Sequence, residues 1–133
     1  MTGSLTIVGL GPGTPEWLTP AAQAALDAAS DLVGYAPYLD RVPEREGLTK
    51  HASDNRVEVE RASHALQLAA EGREVAVVSG GDPGVFAMAA AVFEALEAGP
   101  AEGLAIPIAV EPGITAMLAA AARAGSPLGG DFC

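Results

Sequence analysis

One apolar run, stopped abruptly by glycine and proline, constrains this chain more than any other feature. Residues 75–86 read Val-Ala-Val-Val-Ser-Gly-Gly-Asp-Pro-Gly-Val-Phe. The first four are apolar without alternation, the pattern of a strand covered on both faces, which is the usual condition of a parallel sheet. Gly80, Gly81, Pro83 and Gly84 cannot carry such a strand further, because glycine packs nothing and proline lacks an N–H to donate. Helical spacing follows at once, with Val85, Met88, Ala89, Val92 and Leu96 on one face and Gly99-Pro100 as the stop. Met88 reads as core filler. A doubly buried strand running straight into a helix belongs to a βαβ unit. Its loop lies at the carboxyl edge of the sheet, where open parallel sheets bind ligands. Taken alone, such a loop is equally well an ordinary strand-to-helix turn.

Two more loops of the same kind favour the functional reading. Residues 5–10 predict a first strand, which runs out in Gly9-Leu10-Gly11-Pro12-Gly13-Thr14. Residues 104–110 predict a late strand, with Pro107 marking an edge or a bulge, and it runs out in Glu111-Pro112-Gly113-Ile114-Thr115-Ala116. Thr115 can cap the alanine-rich helix that follows, which closes at Arg123 and Gly125. Between these units, Thr19-Pro20 opens a helix with Ala22, Ala25, Leu26 and Ala29 on one face. Residues 31–35 predict a short strand. Residues 36–53 show no period and read as a long connection, which is unusual in a compact domain unless it has a task or hides a short element. Asn55 and Glu58 resemble a capping box for a helix carrying Ala62, Ala65, Leu66 and Ala69, ended by Gly72. The fold class is therefore α/β, with a mainly parallel sheet flanked by helices. Parallel strands joined by right-handed crossovers place all three glycine loops on one edge, so they are expected to converge on a pocket walled by backbone.

At 133 residues the chain fits one domain. No apolar run approaches the ~18 residues of a membrane helix, and no secretory signal precedes the first strand, so a cytoplasmic protein without a membrane partner is expected. Cys133 is the single cysteine, which leaves neither a disulfide nor metal-ligand spacing. A net charge of −10 argues against nucleic acid, whose phosphates need a basic footprint. Six of the seven basic residues, Arg41, Arg45, Lys50, Arg56, Arg61 and Arg73, lie between positions 41 and 73 among interleaved glutamates. A solvated, salt-bridged face is the first reading of that pattern, and a basic lip for an acidic small molecule the second.

The pocket's chemistry is narrowed by what is missing. In the first loop Thr14 stands where a dinucleotide fingerprint has its third glycine, and Pro12 removes an N–H from the phosphate nest. Tyr35-Ala36-Pro37 stands where a ribose-binding acid would end the second strand. No glycine loop is followed by Gly-Lys-Ser/Thr, and no Ser, His or Cys sits in a nucleophile context. His51 and His64 read as surface or packing residues. A ligand held by backbone, with little phosphate and one or two acidic neighbours, fits better, and S-adenosylmethionine is of that kind.

Gly9-Leu10-Gly11-Pro12-Gly13, Ser79-Gly80-Gly81-Asp82-Pro83 and Pro112-Gly113-Ile114-Thr115-Ala116, in this order and spacing, resemble the three cofactor loops of the tetrapyrrole methylase family. Residues 33–39, 81–88 and the tail 126–133 are most similar to the branch that methylates C17 of precorrin-3B, with ring contraction, in cobalamin biosynthesis. The resemblance implies S-adenosylmethionine as cofactor, a precorrin as substrate, and a two-lobed, usually dimeric enzyme. Residues 1–133 would be its N-terminal cofactor-binding lobe, ending before the second. Carried over position by position, the cofactor contacts are Pro12, Gly80, Gly81, Asp82, Val85, Thr115 and Ala116. No catalytic residue is implied, although Tyr35 and Tyr38 are placed to handle protons. Another tetrapyrrole methylase, such as one acting on uroporphyrinogen III, and a non-catalytic ligand-binding lobe remain as alternatives.

Overall fold

The computed structural model describes residues 3–53, 58–84, 88–99 and 105–125. Five strands form one sheet in the order β3-β2-β4-β1-β5. They are β1 (Ser4–Gly9), β2 (Asp31–Tyr35), β3 (Thr49–Ser53), β4 (Glu74–Ser79) and β5 (Ile108–Glu111). Every pairing among them is parallel. The helices are α1 (Pro20–Ala28), the single turn α2 (Ala36–Leu39), α3 (Glu58–Ala70), α4 (Met88–Ala98) and α5 (Ala116–Ala124), with a 3₁₀ turn at Pro15–Trp17.

Burial on both faces explains the unalternating strands. Leu5, Ile7, Val75 and Val77 point to one side and pack with Ala62, Ala65, Met88 and Val92 of α3 and α4. Val8, Ala76 and Val78 point to the other side and meet Ala22 and Leu26 of α1 and Leu39 of α2. Removing one such Leu, Ile or Val side chain from water contributes about 1.5–3 kcal/mol, so the central strands β4 and β1 anchor the domain.

The helix starts and stops follow local chemistry. Thr19 Oγ1 accepts the Ala22 N–H at 3.0 Å, with Pro20 at the start of α1. Gly72 has φ +98° after α3, and Gly125 has φ +69° after α5, the left-handed closure expected of both. Leu96 is half-buried rather than core. Asn55, Val85, Leu104, Pro100 and the tail 126–133 lie outside the described residues, so the expectations placed on them have no structural counterpart.

Two expectations are corrected. Residues 36–53 are not a bare connection: they contain α2 and β3. The turn of α2 is too short to show a period and carries Pro37 in its first turn, which a helix start tolerates. Strand β3 reads Thr-Lys-His-Ala-Ser and pairs with β2 alone, and an edge strand needs no apolar alternation. Pro107 does not lie within a strand. It precedes β5, and its carbonyl accepts the Leu5 N–H at 3.0 Å, so the proline's lack of a donor costs nothing. The expected edge position is correct, since β5 pairs only with β1.

The topology also creates a crevice. The chain leaving β1 travels through α1 toward β2, while the chain leaving β4 travels through α4, on the opposite face, toward β5. Adjacent strands whose crossovers diverge in this way leave a gap at their carboxyl ends.

Candidate functional site

The three glycine loops meet in that gap; the first and second bond to one another through their backbones, and the third joins them through the Asp82 side chain. The Leu10 N–H donates to the Ser79 carbonyl at 2.8 Å, which continues the β1–β4 pairing past the strand ends. Gly11 and Gly81 then exchange hydrogen bonds, Gly11 N–H to Gly81 O at 3.1 Å and Gly81 N–H to Gly11 O at 2.8 Å. Gly81 makes this reversal with φ +60°, a conformation an L side chain rarely adopts. At Gly113 the constraint is space, since an added Cβ would collide with the Gly81 carbonyl oxygen and crowd Gly9.

Asp82 joins the second loop to the third. Its Oδ2 accepts the Gly84 N–H at 2.8 Å and its Oδ1 the Gly113 N–H at 3.0 Å. Thr115 is buried and caps α5 by accepting the Leu118 N–H at 3.2 Å. Arg41 holds the first loop from outside, donating from Nη2 to the carbonyls of Leu10 at 2.9 Å and Gly11 at 3.1 Å. Arg123 lies 4.7 Å from the ring centroid of Trp17, which ties α5 to the 3₁₀ turn.

These loops floor a cavity of 540 Å³, within the usual range for a small-molecule site. Of the residues singled out from sequence, Pro12, Gly80, Gly81, Asp82, Thr115 and Ala116 line it. Val85 lies outside the described residues. Tyr38 lines it too, whereas Tyr35 stands behind and packs edge-on against Tyr38 with ring centroids 5.4 Å apart. Sequence reasoning assigned neither Glu58 nor Met88 to this wall, and offered Arg41 and Arg61 only within the basic lip that was its second reading of the segment. Met88 is 3 % exposed, the core residue expected, and its sulfur also receives an Arg61 Nη1 contact at 3.5 Å.

The basic segment is only in part the salt-bridged face that its charge pattern suggested. Among the described residues, Arg41, Arg45 and Lys50 donate to backbone carbonyls of Leu10 and Gly11, of Asp27 and Ala29, and of Val42 respectively. Arg61 is buried and donates from Nε to Ser53 Oγ at 2.7 Å. Lys50 pairs with Glu44 at 3.2 Å, and Arg73 makes a long contact with Glu71 at 3.9 Å. Charge counting along a sequence cannot see carbonyls, and here carbonyls take Arg41, Arg45 and Lys50.

A second polar cluster sits at the opposite, amino edge of the sheet. Asp31, at the start of β2, is 1 % exposed. Its Oδ1 lies 2.8 Å from His51 Nε2 and 3.1 Å from Arg73 Nη1, and its Oδ2 accepts from Ser30 Oγ at 2.8 Å. Burial alone would push this carboxyl up; the bonds from His51 and Ser30, with the charge of Arg73, outweigh it and hold the group below the usual carboxylate range. His51 packs edge-on against His64 at 5.1 Å, so both histidines are packing residues as expected, one of them fixed by a buried acid. Among the described residues no group of His, Cys, Asp and Glu could hold a metal ion, and no helix is long and apolar enough to cross a membrane.

A precorrin-3B C(17)-methyltransferase from Sinorhizobium sp. is 56% identical over all of this chain, which covers 52% of that protein. The crystal structure of the methyltransferase CobJ superposes with a TM-score of 0.95 at 63% identity, over 99% of this chain and 55% of that one. A uroporphyrin-III C-methyltransferase from Thermus thermophilus, solved with S-adenosyl homocysteine, gives a TM-score of 0.68 at 28% identity, over 89% of this chain and 48% of that one. The chain thus spans about half the length of the relatives it matches. Residues 4–133 match the family described as Tetrapyrrole (Corrin/Porphyrin) Methylases, and the chain belongs to that family.

Proposed function

We propose that this chain is the S-adenosylmethionine-binding lobe of an enzyme that methylates C17 of precorrin-3B, with ring contraction, in cobalamin biosynthesis. The observation that carries the reading is the glycine-floored cradle of three loops, in a chain 56% identical to a protein of that activity. The lower identity of 28% to a uroporphyrin-III enzyme makes that substrate the weaker alternative.

The cavity fits the cofactor in size and in chemistry. It offers peptide groups rather than a phosphate nest, and its floor excludes side chains where a ligand must lie close. In this reading Pro12, Gly80, Gly81, Asp82, Val85, Thr115 and Ala116 hold the cofactor. When bound, S-adenosylmethionine supplies a methyl group already activated on a sulfonium, so carbon attack needs no acid or base to start it. The work left to the protein is alignment and exclusion of water, which together account for many kcal/mol of barrier. That division of labour agrees with a cavity in which no described His or Cys takes part. The partner is a small acidic macrocycle rather than nucleic acid, and the complete enzyme works as a cytoplasmic homodimer.

Calorimetric titration with S-adenosylhomocysteine is the first test, followed by transfer of a labelled methyl group to precorrin-3B, read by mass spectrometry of the product, which residues 1–133 alone should not catalyse and the complete two-lobed enzyme should. Binding in the micromolar range and label at C17 support the reading. Failure to bind the cofactor product would sink it.

A further inference from the structure

The α2 turn, which the sequence hides inside a connection, supplies a wall of the cavity that the glycine loops do not. We propose that Tyr38 and Arg41 on this wall bind a carboxylate of the methyl acceptor; the proposal rests on the methyl-transfer reading and names the part of the site that recognises the second substrate. Tyr38 belongs to α2 and Arg41 to the turn just past it, where its N–H donates to the Tyr38 carbonyl at 3.1 Å, and both residues line the cavity.

Tyr38 is fixed from two directions. Its ring lies against Gly80 so closely that an added Cβ there would come within 3.0–3.2 Å of Cε1, Cζ and the hydroxyl oxygen. Tyr35 braces it from behind. Gly80 is therefore small for the sake of Tyr38, whatever else it touches. A ring held this way presents its hydroxyl with little rotamer entropy left to lose on binding.

Arg41 is fixed by Nη2, which is committed to the Leu10 and Gly11 carbonyls. Among the described residues nothing accepts from its Nε or Nη1, and nothing bonds the Tyr38 hydroxyl. A guanidinium only donates, and a phenol most readily donates, so two open donors on one wall call for an acceptor-rich, anionic group. A carboxylate takes both, with charge-assisted strength from the arginine. Arg45 and Lys50, on the same connection, are committed to carbonyls elsewhere and do not line the cavity. In a chain of net charge −10, an acidic substrate needs local positive charge to dock, and Arg41 offers it beside the cofactor loops.

The test uses the protein saturated with S-adenosylhomocysteine and two fluorescent probes, uroporphyrin III with free acetate and propionate arms and its fully methylated ester. The wild-type protein should bind the acid and not the ester. Tyr38→Phe keeps the ring on Gly80 and deletes the hydroxyl, and should weaken acid binding about 5-fold; Arg41→Gln should weaken it about 10-fold or more. The affinity for S-adenosylhomocysteine should change far less than that for the acid in Tyr38→Phe, and Arg45→Gln should leave both affinities unchanged. If Arg41→Gln fails to fold because the first loop is released, Tyr38→Phe still decides. Equal binding of acid and ester, unchanged acid affinity in Tyr38→Phe, or an equal loss of cofactor-product affinity each overturns the proposal. Wild-type protein that takes S-adenosylhomocysteine but neither porphyrin would instead bring down the methyl-transfer reading on which it rests.

Discussion

At its carboxyl edge the sheet ends in glycine loops, the first two joined by peptide groups, Gly11 with Gly81, and the third fastened by the Asp82 carboxylate, which accepts from the amides of Gly84 and Gly113. At its amino edge the same sheet is closed by side chains, with buried Asp31 held by Ser30, His51 and Arg73. The two edges should fail in opposite ways. The cradle, joined backbone to backbone between its first two loops and fastened to the third by the Asp82 carboxylate, cannot absorb the addition of a single carbon at its glycines. A cluster of charged side chains tolerates small changes in shape but not the loss of one charge. Function needs the first kind of construction where a ligand must approach the backbone, and the second kind locks the scaffold without occupying the site.

The largest effect expected from this contrast comes from Gly113→Ala. The new Cβ collides with the Gly81 carbonyl, which already accepts from Gly11, so the second and third loops must part. Overpacking of this kind costs about 1–3 kcal/mol of stability, and S-adenosylhomocysteine affinity should fall by about 100-fold or more. Calorimetry and urea unfolding measure the two together. A variant with wild-type affinity would show that the loops are not welded as a unit, and the contrast between the edges would collapse.

Next in size is Asp31→Asn, which keeps the shape and removes the charge. Breaking a buried pair from one side is strongly destabilising, but Arg73 is 49% exposed and water recovers part of its loss. The expected cost is about 2 kcal/mol by denaturant midpoint, with cofactor-product affinity unchanged. Loss of affinity in this variant would mean that the two edges are coupled across the sheet.

Acid should reach the same cluster without mutation. The folded-state pKa of Asp31 is depressed, so its contribution is fully present above the unfolded value, near 4, and is lost as pH falls from there through the lower folded value. Wild-type stability should therefore drop below about pH 4 more steeply than that of Asp31→Asn, which has no such proton to gain. Parallel curves for the two proteins would remove Asp31 from the account.

Much of this was legible in the sequence because it rests on local rules. The apolar runs and their glycine stops gave the central strands, Thr19-Pro20 and Thr115 gave helix starts, and the shared edge of parallel strands brought Pro12, Gly80, Gly81, Asp82, Thr115 and Ala116 to one cavity. What stayed hidden depends on partners distant in sequence. Strand β3 is polar because it is an edge, and its identity as a strand comes from β2 alongside it. Asp31 looked like the polar start of a strand, and only the arrival of His51 and Arg73 from other elements makes it a cluster. The cations of residues 41–73 looked like a surface network because sequence shows carboxylates and conceals carbonyls. Arg41, the cation that matters most for the cavity, could not be told from Arg45 until the first loop's carbonyls were in place.

The smallest expected effect separates the cradle from ordinary scaffolding. Thr19 and Thr115 do the same local work, each accepting one amide at the start of a helix, Ala22 N–H at 3.0 Å and Leu118 N–H at 3.2 Å. Loss of such a cap costs about 1 kcal/mol, so Thr19→Ala and Thr115→Ala should lower stability by similar amounts in thermal unfolding. Their positions differ, because Thr115 lines the cavity while Thr19 caps α1 and does not. Thr115→Ala also loosens the third loop, which Asp82 holds through Gly113, so it should lower S-adenosylhomocysteine affinity about 5-fold, against no change for Thr19→Ala. The paired design cancels the shared capping term, leaving the affinity difference as the measure of what the third loop contributes to the site. Equal affinity in both variants would confine Thr115 to capping and leave the cradle resting on its first two loops.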